Sequence, residues 1–361
     1  MAGSALAIVV SDYTVATNPP SGAWNVDWSY VYNYKGSSAV AVDSHWLLTA
    51  AHVADDGGDG LLTINGTNYY QQEIVFHLPS NDPKHTARAD LALVRFDKTF
   101  PGYYPLYTNN TFPTYPGYGQ DKRLKVVLIG YGVTGTVYST YYTTAAWNVS
   151  PNGSGVKRWG SNKIDGYAIA DYTLPSTTTA TTNDGMQILF TPGNTLYEAG
   201  VGVYDSGGGT FVNDNGTWKL AGINTVQYGG PTDFVGTFAV SIPAYAAWAT
   251  NVINFAGDLD GDGLPNYWEE RYGTITGLVA SADSDGDTFN NYLEYVADTN
   301  PTNPASFFEM SGFLVSAAET VYFTGSTARQ YQVFYTTNDL SATNLTWSAA
   351  YRRAEAPPGQ T

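Results

Sequence analysis

The chain has 361 residues and a formal charge of −16, from 16 Lys and Arg against 32 Asp and Glu. That balance argues against a nucleic-acid partner, and the absence of cysteine excludes disulfides and thiolate metal sites. No apolar run reaches transmembrane length, while 29 Tyr, 38 Gly and only 13% charged residues suit a β-rich exported protein.

The predicted elements follow in chain order. Ala5–Val10 is a short apolar run without a basic flank, either the tail of a trimmed signal peptide or a first strand. Residues 1–24 are set apart as an N-terminal extension. Asp27–Tyr34 alternates and opens a sheet. Ala39–Val53 predicts a strand pair around the polar turn Asp43-Ser44-His45, closed by Thr49-Ala50-Ala51-His52. The acids of Asp55–Gly60 lack regular ligand spacing, so this is a loop, with a weak metal site as the alternative. Leu61–Asn68 and Glu73–His77 read as strands. His45, His77 and His85 read as structural residues of turns and strands. Ala89–Val94 sets Asp90 at the mouth of an apolar strand. A buried acid is costly without a hydrogen bond, so Asp90 needs a donor, and a histidine N–H is the candidate. Leu124–Gly130 is a strand where two halves join, residues 136–185 supply hairpins, and Gln187–Phe190 leads into the glycine-rich run Glu198–Val212. Trp218–Ile223 is another strand. The pattern breaks near Ala256-Gly257.

Tyr204-Asp205-Ser206-Gly207-Gly208 puts a serine between an acid and two glycines. A serine hydroxyl is a poor nucleophile unless a base takes its proton, and flanking glycines let a carbonyl approach. The runs Thr49-Ala50-Ala51-His52, Asp90-Leu91-Ala92-Leu93 and Asp205-Ser206-Gly207-Gly208, in that order, resemble the three catalytic motifs of the chymotrypsin-like (trypsin-like) serine peptidases. Ile129-Gly130-Tyr131-Gly132 agrees, and Phe238–Ile253 resembles the family's last strand and closing helix. The resemblance covers residues 25–256. It implies a mainly β fold of two six-stranded antiparallel β-barrels with a C-terminal helix. It also implies a triad of His52, Asp90 and Ser206, with the backbone N–H groups of Tyr204 and Ser206 receiving the oxyanion. In the family the position of Tyr204 is usually glycine, so the tyrosine either carries backbone strain or turns its peptide outward until substrate binds. Asp205 matches the family's buried acid, which in activated digestive members pairs with a freed N-terminal amine. No Ile-Val-Gly-Gly run is present, so Asp205 needs another donor. Counting from Ser206, the substrate pocket falls at Gly200, Thr225, Val226, Gln227 and Gly236. With no acid at Gly200, an apolar or aromatic side chain is the expected preference.

Residues 258–298 hold ten acids and one base. Asp258, Asp260, Asp262, Leu264, Asn266 and Glu269 stand at positions 1, 3, 5, 7, 9 and 12 of a twelve-residue calcium loop, with Gly263 at position 6. Asp283, Asp285, Asp287, Phe289, Asn291 and Glu294 repeat the pattern, but Thr288 replaces the glycine and weakens the second site. Short helices follow each loop and none precedes them. The pair resembles dockerin or thrombospondin type 3 repeats and implies structural calcium over residues 257–304. Residues 305–361 resemble a small β-sandwich module, with only about four of the roughly seven strands a sandwich needs.

The reading is a secreted, periplasmic or cell-surface calcium-binding serine endopeptidase acting on protein or peptide substrates. The alternative is a catalytically silent, protease-like adhesion module, stiffened by calcium and attached to a cell-surface polymer.

Overall fold

A computed structural model describes residues 8–58, 60–79, 87–109, 124–141, 144–149, 155–173, 179–191, 193–229, 234–254, 258, 260–273 and 276–309, with short stretches between 312 and 349. The chain divides into two compact units, Met1–Asp56 with Gly60–Thr250 and Gly57–Asp59 with Asn251–Thr361.

The first unit opens with β1 (Val9–Val10), β2 (Val31–Tyr34), β3 (Ser37–Ala41), β4 (Trp46–Thr49), helix α1 (Ala51–Ala54), β5 (Leu61–Ile64), β6 (Thr67–Phe76) and β7 (Ala92–Phe96). It continues with β8 (Lys125–Gly130), β9 (Gly135–Tyr141), β10 (Thr144–Val149), β11 (Arg158–Lys163), β12 (Gly166–Thr173) and β13 (Ala180–Leu189). It closes with β14 (Ala199–Gly200), β15 (Gly209–Asp214), β16 (Thr217–Gly229), β17 (Phe234–Ser241) and helix α2 (Ile242–Asn254).

β2 to β7 form the expected six-stranded antiparallel sheet, in the order β2-β3-β4-β7-β6-β5. The second sheet holds nine strands rather than six. Its backbone is β11-β8-β15-β16-β17. β17 is longer than its ladder with β13, which uses Gly236–Val240, and Phe234 is left to pair Trp147 of the β9–β10 hairpin. β12 adds outside β13. The sheet curls back on itself: the Asp165 N–H donates to Gln187 O at 2.8 Å, and Asn162 Nδ2 donates to Leu189 O at 3.0 Å. Curling satisfies strand edges that would otherwise stay open.

Two-residue turns set the register of three hairpins. Lys35-Gly36, Asn65-Gly66 and Asn215-Gly216 all have positive φ at both positions, the handedness that matches the twist of the flanking strands. The Asn65-Gly66 turn corrects the single strand expected over Leu61–Asn68: that run is the end of one strand and the start of the next.

The described end of the N-terminal apolar run, Val9–Val10, is a strand. Ile8, Val9 and Val10 are at most 2% exposed, and β1 pairs with β14. Ile8 and Val10 join Val126, Leu128, Met186, Ile188 and Val201 in the core of the second barrel. Residues 8–24 are thus part of the barrel, not an extension set apart from it.

In the second unit, α3 (Asn266–Glu270) and α4 (Asn291–Ala297) follow the two acidic loops. β18 (Gly312–Leu314) pairs with β19 (Thr320–Tyr322), and β20 (Phe334–Tyr335) with β21 (Ser348–Ala349). Most of the strands expected at 331–336 and 345–348 lie outside the described residues. No helix among the described residues is long and apolar enough to cross a membrane.

Candidate active site

His52 sits on α1, the single helical turn entered directly from β4. β4 pairs with β7, with Thr49 opposite Ala92, and Asp90 lies just ahead of β7. That pairing brings the two side chains together. His52 Nδ1 lies 2.8 Å from Asp90 Oδ2, and the His52 backbone N–H donates to Asp90 Oδ1 at 3.0 Å. Asp90 is fully buried, so it depends on its donors. The Tyr172 hydroxyl is another, 3.0 Å from Oδ2. Asp90's own N–H donates to Asn183 Oδ1 at 2.6 Å. Burial pushes the Asp90 carboxyl up, but the His52 charge and the donated hydrogen bonds leave it below its ordinary range. Burial pulls His52 down, and the Asp90 charge and hydrogen bond leave it above its ordinary value.

Ser206 lies in the loop between β14 and β15. Its hydroxyl donates to Thr225 O at 3.1 Å, and no hydrogen bond joins it to His52 among the described residues. The loop is locked to the strand pair that precedes His52. The Ser38 N–H donates to Ser206 O at 3.0 Å, and Thr49 Oγ1 donates to Ser38 O at 2.7 Å. Gly207 has φ +82, and a Cβ there would stand 1.9 Å from Ser38 O and 2.1 Å from Thr49 Oγ1. Only glycine fits.

The N–H groups of Asp205, Gly207 and Gly208 are bound by Gly202 O, Asn224 O and Asp205 O. Those of Tyr204 and Ser206 meet no acceptor among the described residues. They are the two donors expected to face an oxyanion. Tyr204 has φ +70, a conformation costing about 1–3 kcal/mol for a residue with a Cβ. Its ring is 49% exposed, and its carbonyl accepts from Ser38 Oγ at 3.4 Å.

The sequence matches the Trypsin family over residues 14–249, well over half of the chain. This chain belongs to the trypsin family. No curated protein matches it. Among solved structures it is similar to the active form of the Rv3671c protease from M. tuberculosis, at 15% identity and TM-score 0.37, over 59% of this chain and 72% of that one. It is similar also to an inactive mutant of that protease, at 15% identity and TM-score 0.41, over 70% and 99% of the two chains. The HtrA-type protease AlgW with a decapeptide matches at 18% identity and TM-score 0.37, over 60% and 51%. As a trypsin-family domain, the first unit is a double β-barrel of the peptide-hydrolase class.

In this trypsin-family domain the buried acid next to Ser206 has its donors in place. Asp205 accepts from Gly202 N–H at 2.7 Å, Gly132 N–H at 2.8 Å and Ile8 N–H at 3.3 Å. Burial pushes it up to about 7, against these donors and the Arg158 charge. The donors missing from the sequence reading are therefore the N–H groups of Gly202, Gly132 and Ile8, the last at the start of Ile8-Val9-Val10. Ile8 itself has φ +48, a strained setting for a β-branched side chain.

The pocket residues fall on neighbouring strands: Gly200 in β14, Thr225, Val226 and Gln227 in β16, and Gly236 in β17. Val226 pairs with Phe238, and Gln227 with Thr237. Gly236 pairs with Tyr228, whose ring a Cβ on Gly236 would meet at 2.1 Å, so the tyrosine lies against that wall. Gln227 Oε1 is buried without a partner among the described residues. Tyr228, Tyr172, Ile8 and Ser38 escaped the sequence reading, because no local motif marks them. Elsewhere, His77 packs edge-on against Tyr245 and Trp248, and Asp55 is held by Arg88 at 2.9 Å. His85 lies outside the described residues.

In the second unit, Asp258, Asp260 and Asp262 bring one carboxylate oxygen each within 4.8 Å of one another, and so do Asp283, Asp285 and Asp287. Asp258 accepts the N–H groups of Gly261, Asp262 and Gly263; Asp283 accepts those of Gly286 and Thr288. Glu269 and Glu294 are buried, and among the described residues each leaves Oε2 with no hydrogen-bond partner. Asp285 Oδ2, Asp287 Oδ2 and Asn291 Oδ1 are likewise buried without partners among the described residues. Leu264 and Asn266 are buried at their loop positions, and Phe289 stacks on Phe307 at 5.9 Å. Thr288 adopts φ +84, close to the φ +98 of Gly263 at the same place in the first loop.

Proposed function

We propose that the barrel unit is an exported serine endopeptidase that uses His52, Asp90 and Ser206. The observation that carries this is the 2.8 Å contact of His52 Nδ1 with a buried Asp90, beside a loop whose Tyr204 and Ser206 N–H groups meet no acceptor among the described residues. Asp90 holds the imidazole with Nδ1 protonated, which leaves Nε2 to accept the Ser206 proton. The hydroxyl must first turn from Thr225 O. That exchanges one hydrogen bond for another, at a cost of about 1 kcal/mol or less. Ser206 Oγ then attacks the peptide carbonyl, the free N–H groups receive the oxyanion, and the imidazolium returns its proton to the leaving amine. Water repeats the sequence on the acyl-enzyme. The test is hydrolysis of an unfolded protein substrate by the wild type and by Ser206→Ala. Hydrolysis by the wild type alone supports the reading, and equal rates remove it.

A second reading, a silent adhesion module, draws support from the Ser206 hydroxyl bound to Thr225 rather than to His52. It expects no turnover by the wild type with either a protein or a small ester.

We also propose that the two acidic loops hold structural calcium. Calcium takes six to eight oxygens, and buried carboxylate oxygens without donors are what a hard cation satisfies. The residues at hand fit: Asp258, Asp260, Asp262, Asn266 and Glu269 in the first loop, and Asp283, Asp285, Asp287, Asn291 and Glu294 in the second. The Leu264 and Phe289 carbonyls complete the sets. Titration calorimetry that shows no uptake at millimolar calcium would remove this claim.

A further inference from the structure

Asp90 receives a donor that comes from far along the chain. Its Oδ2 is shared by His52 Nδ1 and the Tyr172 hydroxyl, at 2.8 Å and 3.0 Å. Tyr172 sits on β12, opposite Thr181 on β13. The same hairpin grips the segment around Asp90 elsewhere. Asn183 Oδ1 accepts the Asp90 N–H, the Thr182 N–H donates to Arg88 O at 3.2 Å, and Thr181 forms a bridge with Arg88. Thr181 Oγ1 donates to Tyr172 O at 3.0 Å and accepts from Asn183 Nδ2 at 2.9 Å. The Tyr172 ring is partly exposed while its hydroxyl reaches a fully buried carboxylate. Thr225 O, in turn, is where the Ser206 hydroxyl rests.

We propose that Tyr172 is a positioning residue for the acid–base pair: its hydroxyl holds Asp90 and thereby sets how tightly His52 keeps its proton. This deepens the endopeptidase reading and rests on it. The O–H aims its positive end at Asp90, so it tempers the negative potential that the imidazole feels. Loss of the donor leaves Asp90 more basic and stabilises the imidazolium. The His52 titration then moves to higher pH, and less neutral imidazole is present near pH 7. The other titratable groups here are Asp56 beside His52, Tyr245 of α2 beside Tyr172, and the Arg88–Asp55 ion pair. None of them donates to Asp90.

Tyr172→Phe removes one oxygen. In the wild-type background the expected result is a fall in kcat near pH 7 of about twofold to threefold with KM nearly unchanged, and a rising limb of the pH profile displaced upward. In a Ser206→Ala background, NMR titration of the His52 ring should show proton affinity raised about threefold or more, a readout independent of turnover. Fluorotyrosine at position 172, a stronger donor, should move that titration the other way, and it serves if the phenylalanine variant does not fold. Unchanged titrations in both variants overturn the proposal. If the titration shifts while the wild type hydrolyses no peptide, the positioning stands and the endopeptidase reading fails.

Discussion

At Tyr204 the chain takes a left-handed turn, φ +70, where a side chain is a burden. Of the two outcomes open to this residue, the backbone carries the strain. Glycine at this place keeps the same turn and sheds about 1–3 kcal/mol, of which the greater freedom of the unfolded chain returns about 0.5–1. Tyr204→Gly should therefore raise stability by roughly 1 kcal/mol, read as a higher urea midpoint at unchanged slope. Because the turn is already made, kcat should change little; a large gain would mean that the tyrosine peptide gates the oxyanion site. His52→Ala and Ser206→Ala should each abolish turnover, and the double variant should be little worse than either, since the two act as a unit. Additive losses in the double variant would separate them. The contact of His52 with Asp90 was legible because each sits in a short motif and the motifs stand in a fixed order. Tyr172 was not, since its hydroxyl meets Asp90 across 82 positions of chain and its strand shows only an ordinary alternation.

Among the elements, β1 carries a consequence for pH. Asp205 and Glu198 are both pushed up to about 7 by burial, from ordinary values of 3.8 and 4.5. The folded state therefore binds these protons more tightly than the unfolded chain does. Their stabilisation is full below about pH 4 and is lost as pH rises through about 7. Relative to the wild type, Asp205→Asn should flatten the fall in unfolding free energy between pH 4 and 7, measured by denaturant titration at each pH. An unaltered slope would mean that Asp205 is already ionised. A chain beginning at Ile8 would set an ammonium where a neutral N–H now stands and would remove the positive φ of that residue. Asp205 should then ionise, and its share of the slope should vanish. In the second unit, Thr288 occupies a turn that glycine takes without strain. Thr288→Gly should tighten calcium binding at the second loop by about fivefold, the equivalent of about 1 kcal/mol, and calorimetry on the full chain reads this as a change in one of two sites. The strain at Thr288 was legible from its position in the repeat. The Asn65-Gly66 hairpin carried its own signal, yet the apolar residues on either side read as one continuous strand.

For the whole molecule, the double barrel was legible from motif order and from closely spaced apolar runs, whereas the nine-strand extent of the second sheet was not. Pairing of β10 and β13 along one edge of β17 depends on ladder lengths that no local pattern reveals. The two units also differ in what holds them. The barrel has a continuous apolar core. The loop segment gathers buried acids whose oxygens have no partner among the described residues, and these repel one another without a cation. Chelation should therefore open residues 258–309 to limited proteolysis while residues 31–250 stay resistant, and cleavage of both at one rate would contradict this. Activation of Ser206 by His52 and Asp90 is open to a single measurement, reaction with a fluorophosphonate probe followed by mass spectrometry of the labelled peptide. One adduct is expected, on Ser206, formed faster as pH rises through the His52 titration and absent in both His52→Ala and Ser206→Ala. No adduct on the wild type, or an adduct that persists in Ser206→Ala, would contradict it.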